Sequence, residues 1–318
     1  METMHTNYLR ENDVKVDVII PTYHSDDKFI RLIEMLYRQT KKPNRILILQ
    51  TREEAGEEQA LPEIADDLVE VIPIEKEDFD HGGTRKFGAS LSDAQILVFM
   101  TQDAIPEDEY LLEHLLKPYE DPKVAATYAR QLAGNEADLL ERFTRNFNYP
   151  KTSRVKSLED LDKLGIKTFF CSNVCASYRK DVFCELGGFV DKTIFNEDMI
   201  YASGLIRNGY KIAYVAEARV IHSHQYSYHQ QFTRNFDLGV SHKQYASVFQ
   251  GTKSESEGIK LVKKSLEYLI KKKKYLLIPD LIISSGMKYL GYQLGLHYDK
   301  LPEELVIRFS MNRSYWRK

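Results

Sequence analysis

The sequence lacks any apolar stretch approaching the ~18 uninterrupted residues that a spanning helix needs. Cysteine is scarce. Cys171, Cys175 and Cys184 are odd in number and have no Cys or His neighbours at zinc-finger spacing. This argues against a disulfide framework and for a reducing compartment, with Cys171 and Cys175 as small buried hydrophobes. Neither sign of charge dominates. The net charge of −3 gives no global sign of a nucleic-acid partner. The first 13 residues are polar and contain no apolar segment of the secretory kind. The expectation is a cytoplasmic globular protein, and 318 residues suffice for one large domain or a domain with an appendage.

What is present alternates. Residues 14–20 read as a strand stopped by Pro21-Thr22-Tyr23. Residues 29–39 carry Ile30, Ile33, Leu36 and Tyr37 at helical spacing, with Asp26 or Asp27 as cap. A strand over 45–50, an acidic loop over 52–58, a helix around 64–68 and a strand over 69–74 follow. This alternation predicts a mostly parallel sheet with right-handed crossovers. Further on, 111–119 reads as a helix and 124–130 as a strand. Residues 136–148 read as a helix whose Leu139, Leu140, Phe143 and Phe147 form a core stripe. The polar run 151–167 reads as a mobile excursion. Residues 169–178 are strand-like, 181–189 form a short helix ended by glycine, and 200–208 form a helix ended by Gly209. Residues 210–216 and 219–221 read as edge strands that end in His222-Ser223-His224.

Four places on this frame can carry chemistry, and each has a plain structural alternative. Ile96-Leu97-Val98-Phe99-Met100 runs into Thr101-Gln102-Asp103. An apolar run of this kind suits a strand buried on both faces, and ligands sit beyond the carboxyl ends of such strands. Asp103 can therefore ligate a divalent metal, or it can cap a helix beginning near the acidic run Glu107-Asp108-Glu109. Phe79-Asp80-His81-Gly82-Gly83-Thr84-Arg85 places two glycines and a guanidinium at a helix start near Thr84. That suits an anion or sugar-phosphate, or a plain turn. Glu197 and Asp198 stand near another helix start, where acids also serve the helix dipole. His222 and His224 are ligand candidates or ordinary structural histidines.

The order of these features resembles that of the family 2 glycosyltransferases of the GT-A fold. The matching residues are Val18-Ile19-Ile20-Pro21-Thr22-Tyr23, Thr101-Gln102-Asp103-Ala104, Gly187-Gly188-Phe189, Glu197-Asp198, Gly209-Tyr210 and His222, over roughly residues 14–229. The resemblance implies an α/β chain: a Rossmann-like, mostly parallel central sheet with flanking helices over 1–240, and a helical region over 241–318. The segment 79–85 is similar to that of bacterial rhamnosyltransferases that use dTDP-L-rhamnose to build cell-surface polysaccharides. The resemblance implies a nucleoside diphosphate sugar as donor, dTDP-rhamnose favoured, and a glycan or lipid-linked acceptor. It further implies Mg²⁺ or Mn²⁺ held by Asp103 with His222 and, as a fallback, His224. Asp198 would be the general base of an inverting reaction and Glu197 its partner. Pro21, Thr22, Tyr23, Gln50 and Thr51 would take the nucleotide. His81, Gly82, Gly83, Arg85 and Gln102 would complete the donor site. Two departures stand out. Thr101 occupies the first position of the family's Asp-X-Asp motif, and Leu49-Gln50-Thr51-Arg52-Glu53-Glu54 replaces an Asp-rich segment after the second strand.

Residues 251–318 carry 14 Lys/Arg against 7 Asp/Glu, leaving −10 on the rest of the chain. Lys260, Lys263, Lys264 and Lys271 to Lys274 interleave with Ile259, Leu261, Val262, Leu266, Leu269 and Ile270. Basic amphipathic helices lie on anionic membranes, which would put the protein on the inner face of the cell membrane; a helical cap or homodimer element has the same pattern. The terminal 313–318 segment is an interfacial anchor or a frayed end. Two other functions fit less of the sequence. A nucleotidyltransferase needs a Gly-rich basic loop after its first strand, and Pro21-Thr22-Tyr23-His24-Ser25-Asp26 has neither glycine nor Lys/Arg. A non-catalytic sugar-nucleotide binder or assembly partner would tolerate Thr101 in the motif.

Overall fold

The computed structural model describes residues 14–53, 67–249 and 255–316. The frame opens with β1 (Val16–Thr22), α1 (Asp27–Tyr37), β2 (Arg45–Arg52), β3 (Val69–Glu75), α2 (His81–Ser90) and β4 (Ile96–Met100). It continues with β5 (Ile105–Pro106), α3 (Leu111–Leu116), β6 (Val124–Leu132), α4 (Leu139–Asn148), β7 (Arg154–Lys156) and α5 (Leu161–Leu164). Next come β8 (Cys175–Arg179), α6 (Lys180–Glu185), α7 (Glu197–Arg207) and β9 (Lys211–Ile221). The chain finishes in helices: α8 (Tyr228–Gln244), α9 (Ala246–Phe249), α10 (Glu255–Lys271), α11 (Ile278–Leu296) and α12 (Glu303–Phe309). The helix expected around 64–68 lies outside the described residues except at 67–68.

The sheet runs β3-β2-β1-β4-β8-β6-β9-β5, with β7 also paired to β9. Six strands share one direction, and β5, β7 and β8 run against them. The pleat explains the two-faced core. Ile19, Leu47, Leu97 and Phe99 point to the side covered by Phe183, Phe189 and Tyr201. Their neighbours Val18, Ile20, Ile46 and Val98 meet Phe29, Leu32 and Leu36 of α1 and Leu111 and Leu115 of α3. Asp26 caps α1 through its side chain, accepting from the N–H groups of Lys28 and Phe29.

Three expectations change. Residues 151–167 are not an irregular excursion: Arg154–Lys156 pairs antiparallel with β9. Lys156 is buried there, donating to the carbonyls of Lys167 (3.1 Å) and Phe170. Its four-carbon stem and carbonyl partners make a charged residue fit a strand. Residues 211–221 form one strand rather than two edge strands, and β9 lies between β6 and the short pair β5 and β7. The stripe on α4 is half-buried rather than core. Phe143 stacks on Tyr268 of α10, with ring centroids 4.5 Å apart. Residue 240 falls inside α8, whose Phe236 and Val240 join Val306 of α12 in one apolar cluster.

Candidate functional site

Asp103 stands in the loop after β4. Capping does not occupy it: the next helix is α3, whose N-cap is Tyr110. Glu107, Asp108 and Glu109 are not helical. Instead, Oδ2 of Asp103 lies 3.2 Å from Nε2 of His224 and 3.5 Å from Nε2 of His222. The two Nε2 atoms are 2.9 Å apart. One ligand atom from each of the three residues lies within 4.8 Å of the others. β9 delivers both histidines, because the chain leaves that strand at Ile221 and residues 222 and 224 share a side.

Nδ1 of His222 faces Oε1 of Gln131 at 3.2 Å, and Gln131 is itself held by Arg145 and by Ser172 Oγ (3.0 Å). A donor N–H at Nδ1 leaves the Nε2 lone pair free on the side of Asp103. Burial drives the His222 imidazole well below its ordinary pKa, and His224 is lowered by the same cause. Both shifts favour the neutral imidazole, the form that ligates metals. A carboxylate oxygen and two imidazole Nε2 atoms in this grouping fit a divalent cation, which would replace their contact with one another.

The second cluster is built on the start of α7. Asn196 holds a left-handed conformation (φ 67°) just before it, a strained geometry that Asn tolerates better than most residues. Glu197 is buried and paired with Arg85, 3.3 Å from Oε1 to Nη1. Asn173 binds both acids: its side-chain N–H donates to Glu197 Oε1 (3.1 Å) and its backbone N–H to Asp198 Oδ2 (3.1 Å). Asp198 Oδ1 accepts from Met199 N–H at 2.7 Å. Burial, then the neighbouring Glu197 charge, pushes the Asp198 carboxyl up to about 7. Glu197 goes the other way, because Arg85, His81 and Asn173 outweigh its burial. One acid of the pair is thus held ionised while the other is poised near neutrality.

The 79–85 segment closes the space between them. Asp80 caps α2 by accepting from Gly83 N–H (2.7 Å), and it also accepts from Lys192 N–H (2.8 Å) and Thr193 N–H (3.2 Å). It thereby fastens α2 to the loop ahead of α7. A Cβ on Gly82 would overlap the carbonyl oxygen of Val190, so this glycine admits protein backbone rather than only a ligand. Arg85 is buried, with Nη1 also 2.9 Å from the His81 carbonyl, while its Nε has no partner among the described residues.

On the other side of the frame, Thr22, Thr51 and Thr101 stand at or near the ends of β1, β2 and β4, and each has a buried hydroxyl with no partner among the described residues. Buried polar atoms are normally paired, so three such hydroxyls near the carboxyl ends of parallel strands are candidates for a polar partner. Gln50 is buried beside Thr51, and Pro21 pairs with Leu49. Gln102 spends its amide on the chain itself: Oε1 accepts from Tyr23 N–H (2.7 Å) and Nε2 donates to Tyr23 O (3.0 Å). It fixes the loop that carries Tyr23. A cleft of about 2110 Å³ is lined by His81, Arg85, Glu197, Asp198, His222 and His224, and continues to Arg234, Tyr289 and Lys288 on the C-terminal helices.

Asn173, Gln131, Asp80 and Asn196 were not singled out from the sequence. Asn173 left a signal, as a polar residue inside the apolar run 169–178. Gln131 left none, because its partners Arg145 and His222 lie 14 and 91 residues further along the chain.

The description "Glycosyl transferase family 2" matches residues 17–187. The chain is 39% identical over 309 residues to the O-antigen chain rhamnosyltransferase RfbN of Salmonella typhimurium, covering 95% of this chain and 96% of that protein. It is also 39% identical over 304 residues to the O-antigen chain rhamnosyltransferase WbaN of Salmonella anatum, covering 94% and 95%. Among solved structures, a mannosyltransferase from Pyrobaculum calidifontis in complex with GDP-Man and Mn²⁺ superposes with a TM-score of 0.53 at 15% identity, covering 95% of this chain and 85% of that one. That likeness is one of fold.

Proposed function

This chain belongs to glycosyltransferase family 2, and from that membership we propose that it transfers L-rhamnose from dTDP-rhamnose, with inversion, to a hydroxyl of a lipid-linked or cell-surface glycan at the cytoplasmic face of the membrane. The names of its 39% identical relatives support the sugar. The observation that carries the mechanism is that His222, His224, Glu197 and Asp198 line one cleft.

Asp198 is the general base. Its carboxyl titrates near neutrality, and two backbone N–H groups fix its orientation while each oxygen keeps acceptor capacity. It takes the acceptor proton as the hydroxyl oxygen bonds to the anomeric carbon. The bond from that carbon to the diphosphate oxygen breaks in the same step, and its electron pair leaves with the nucleoside diphosphate. A single displacement inverts the anomeric centre. Glu197 stays ionised against Arg85 and keeps the Asp198 pKa high. Asp103, His222 and His224 would hold Mg²⁺ or Mn²⁺, which when bound supplies a Lewis acid for the diphosphate. Two imidazole ligands favour Mn²⁺, since Mg²⁺ prefers oxygen. The nucleotide lies against Pro21, Thr22, Tyr23, Gln50 and Thr51, and the unpaired Nε of Arg85 offers a donor to the sugar diphosphate.

The test is a panel of dTDP-, UDP- and GDP-sugars with and without Mn²⁺, read by thermal shift and then by transfer to a lipid-linked glycan. A shift that grows with dTDP-rhamnose concentration, followed by transfer, supports the reading. Selective stabilisation by another donor would remove rhamnose and leave the family intact.

A further inference from the structure

The C-terminal helices carry an exposed surface that, apart from Tyr289 at the cleft, lies outside the lining of the catalytic site. Between α10 and α11 the chain turns sharply, with Lys273 at φ 55°. Ile270, Lys271, Lys272, Lys273, Lys274, Tyr275 and Leu276 are all exposed, Leu276 at 95%. None of the four lysines pairs with a carboxylate among the described residues. The next helix is apolar on both sides. Its inner face packs on α8, where Cβ atoms on Gly291 and Gly295 would overlap the carbonyl oxygens of Phe232 and Phe236. Its outer face presents Ile282, Ile283, Tyr289 and Leu290, all about half-exposed or more. A helix with a second apolar face opposite its packed one expects cover on both.

The spacing says what kind of cover. Tyr275, Ile282 and Tyr289 recur every seven residues, and so do Leu276, Ile283 and Leu290. The two columns stand about 100° apart, so they form a broad stripe rather than a narrow seam. With the Leu276 column at heptad position a, position d falls on Pro279 and Gly286; with the Tyr275 column at a, it falls on Ile278, Ser285 and Tyr292, and Tyr292 is turned inward against His242 of α8. A second copy would also bring a second block of four lysines to the interface. A flat anionic surface fits both the broad stripe and the charge. No helix among the described residues is long and apolar enough to cross a membrane.

We propose that the 270–276 turn and the outer face of α11 form a docking surface for an anionic phospholipid bilayer, with the lysines at the headgroups and the Tyr275/Leu276, Ile282/Ile283 and Tyr289/Leu290 pairs in the interface. This stands apart from the choice of donor, because vesicle binding needs neither sugar nor metal.

The experiment is sedimentation of the full chain with vesicles of phosphatidylcholine, alone or with a quarter phosphatidylglycerol. The expected result is binding to the anionic vesicles, weakened by salt. Replacing all four lysines (K271Q, K272Q, K273Q, K274Q) lowers the partition coefficient on the order of a thousandfold. The pair Leu276→Ser and Ile283→Ser lowers it about tenfold or more, while both variants keep the parent's circular dichroism and melting temperature because every changed side chain is exposed. Failure to bind anionic vesicles, or equal binding by the lysine variant, overturns the proposal. So does a concentration-dependent dimer that Ile283→Asp dissociates, seen without vesicle binding. That result would make the face an interface between copies.

Discussion

At the scale of single residues, the acid pair sets the clearest expectations. Asp198 acts as base only when ionised, and its carboxyl titrates near 7. Transfer should therefore rise with pH through about 7, and a pH profile of kcat/KM checks it. Asp198→Asn should lose about 10²–10⁴ in kcat with donor affinity little changed. Full transfer by that variant would remove it as base. Gln131 acts one step further out, because it holds the ring of His222. Gln131→Leu should weaken Mn²⁺ affinity about 10–100-fold while leaving the fold intact, as a metal titration would show. Asp103, His222, Glu197 and Asp198 were candidates in the sequence because their order along the chain resembles the family pattern, each position alone having a plain structural alternative. Asn173 and Gln131 were not, since their roles come from partners that only folding brings near.

At the scale of elements, the junction of α2 with the loop before α7 is tight. Gly82→Ala would drive a methyl group into the Val190 carbonyl. It should cost about 1–3 kcal/mol or more, read as a lowered denaturant midpoint. The sequence conveyed β1, β2 and β4 through unbroken apolar runs and α1 through its spacing and Asp26 cap. It hid β7, whose three residues Arg154, Val155 and Lys156 are mostly charged and find their place by pairing with β9. It also hid the reversal of β8, because residue patterns record burial and not strand direction.

At the scale of the whole molecule, the last residues are part of the catalytic body. Asp237 of α8 is buried, and its Oδ2 accepts from the N–H groups of Met311 (2.9 Å) and Asn312 (3.1 Å). Burial raises its carboxyl to about 6, so the fold favours the protonated form. Its contribution is fully present below the unfolded value near 4 and is lost as pH rises through 6. Ending the chain at residue 309 removes both donors that support the ionised form. Stability should fall about 1–3 kcal/mol, more at pH 8 than at pH 5, by urea unfolding at the two pH values. The glycine seam between α8 and α11 has its own consequence. With Gly239, Gly291 and Gly295 in backbone contact across it, the helices have no slack to slide or swing. Were the lysine turn to rest on a bilayer as proposed, this packing would hold the cleft mouth at one height, like the fixed jaw of a caliper. The molecule would then select an acceptor sugar by its distance from the lipid as well as by its hydroxyls, and sugars nearer or farther along the same glycan would be passed over.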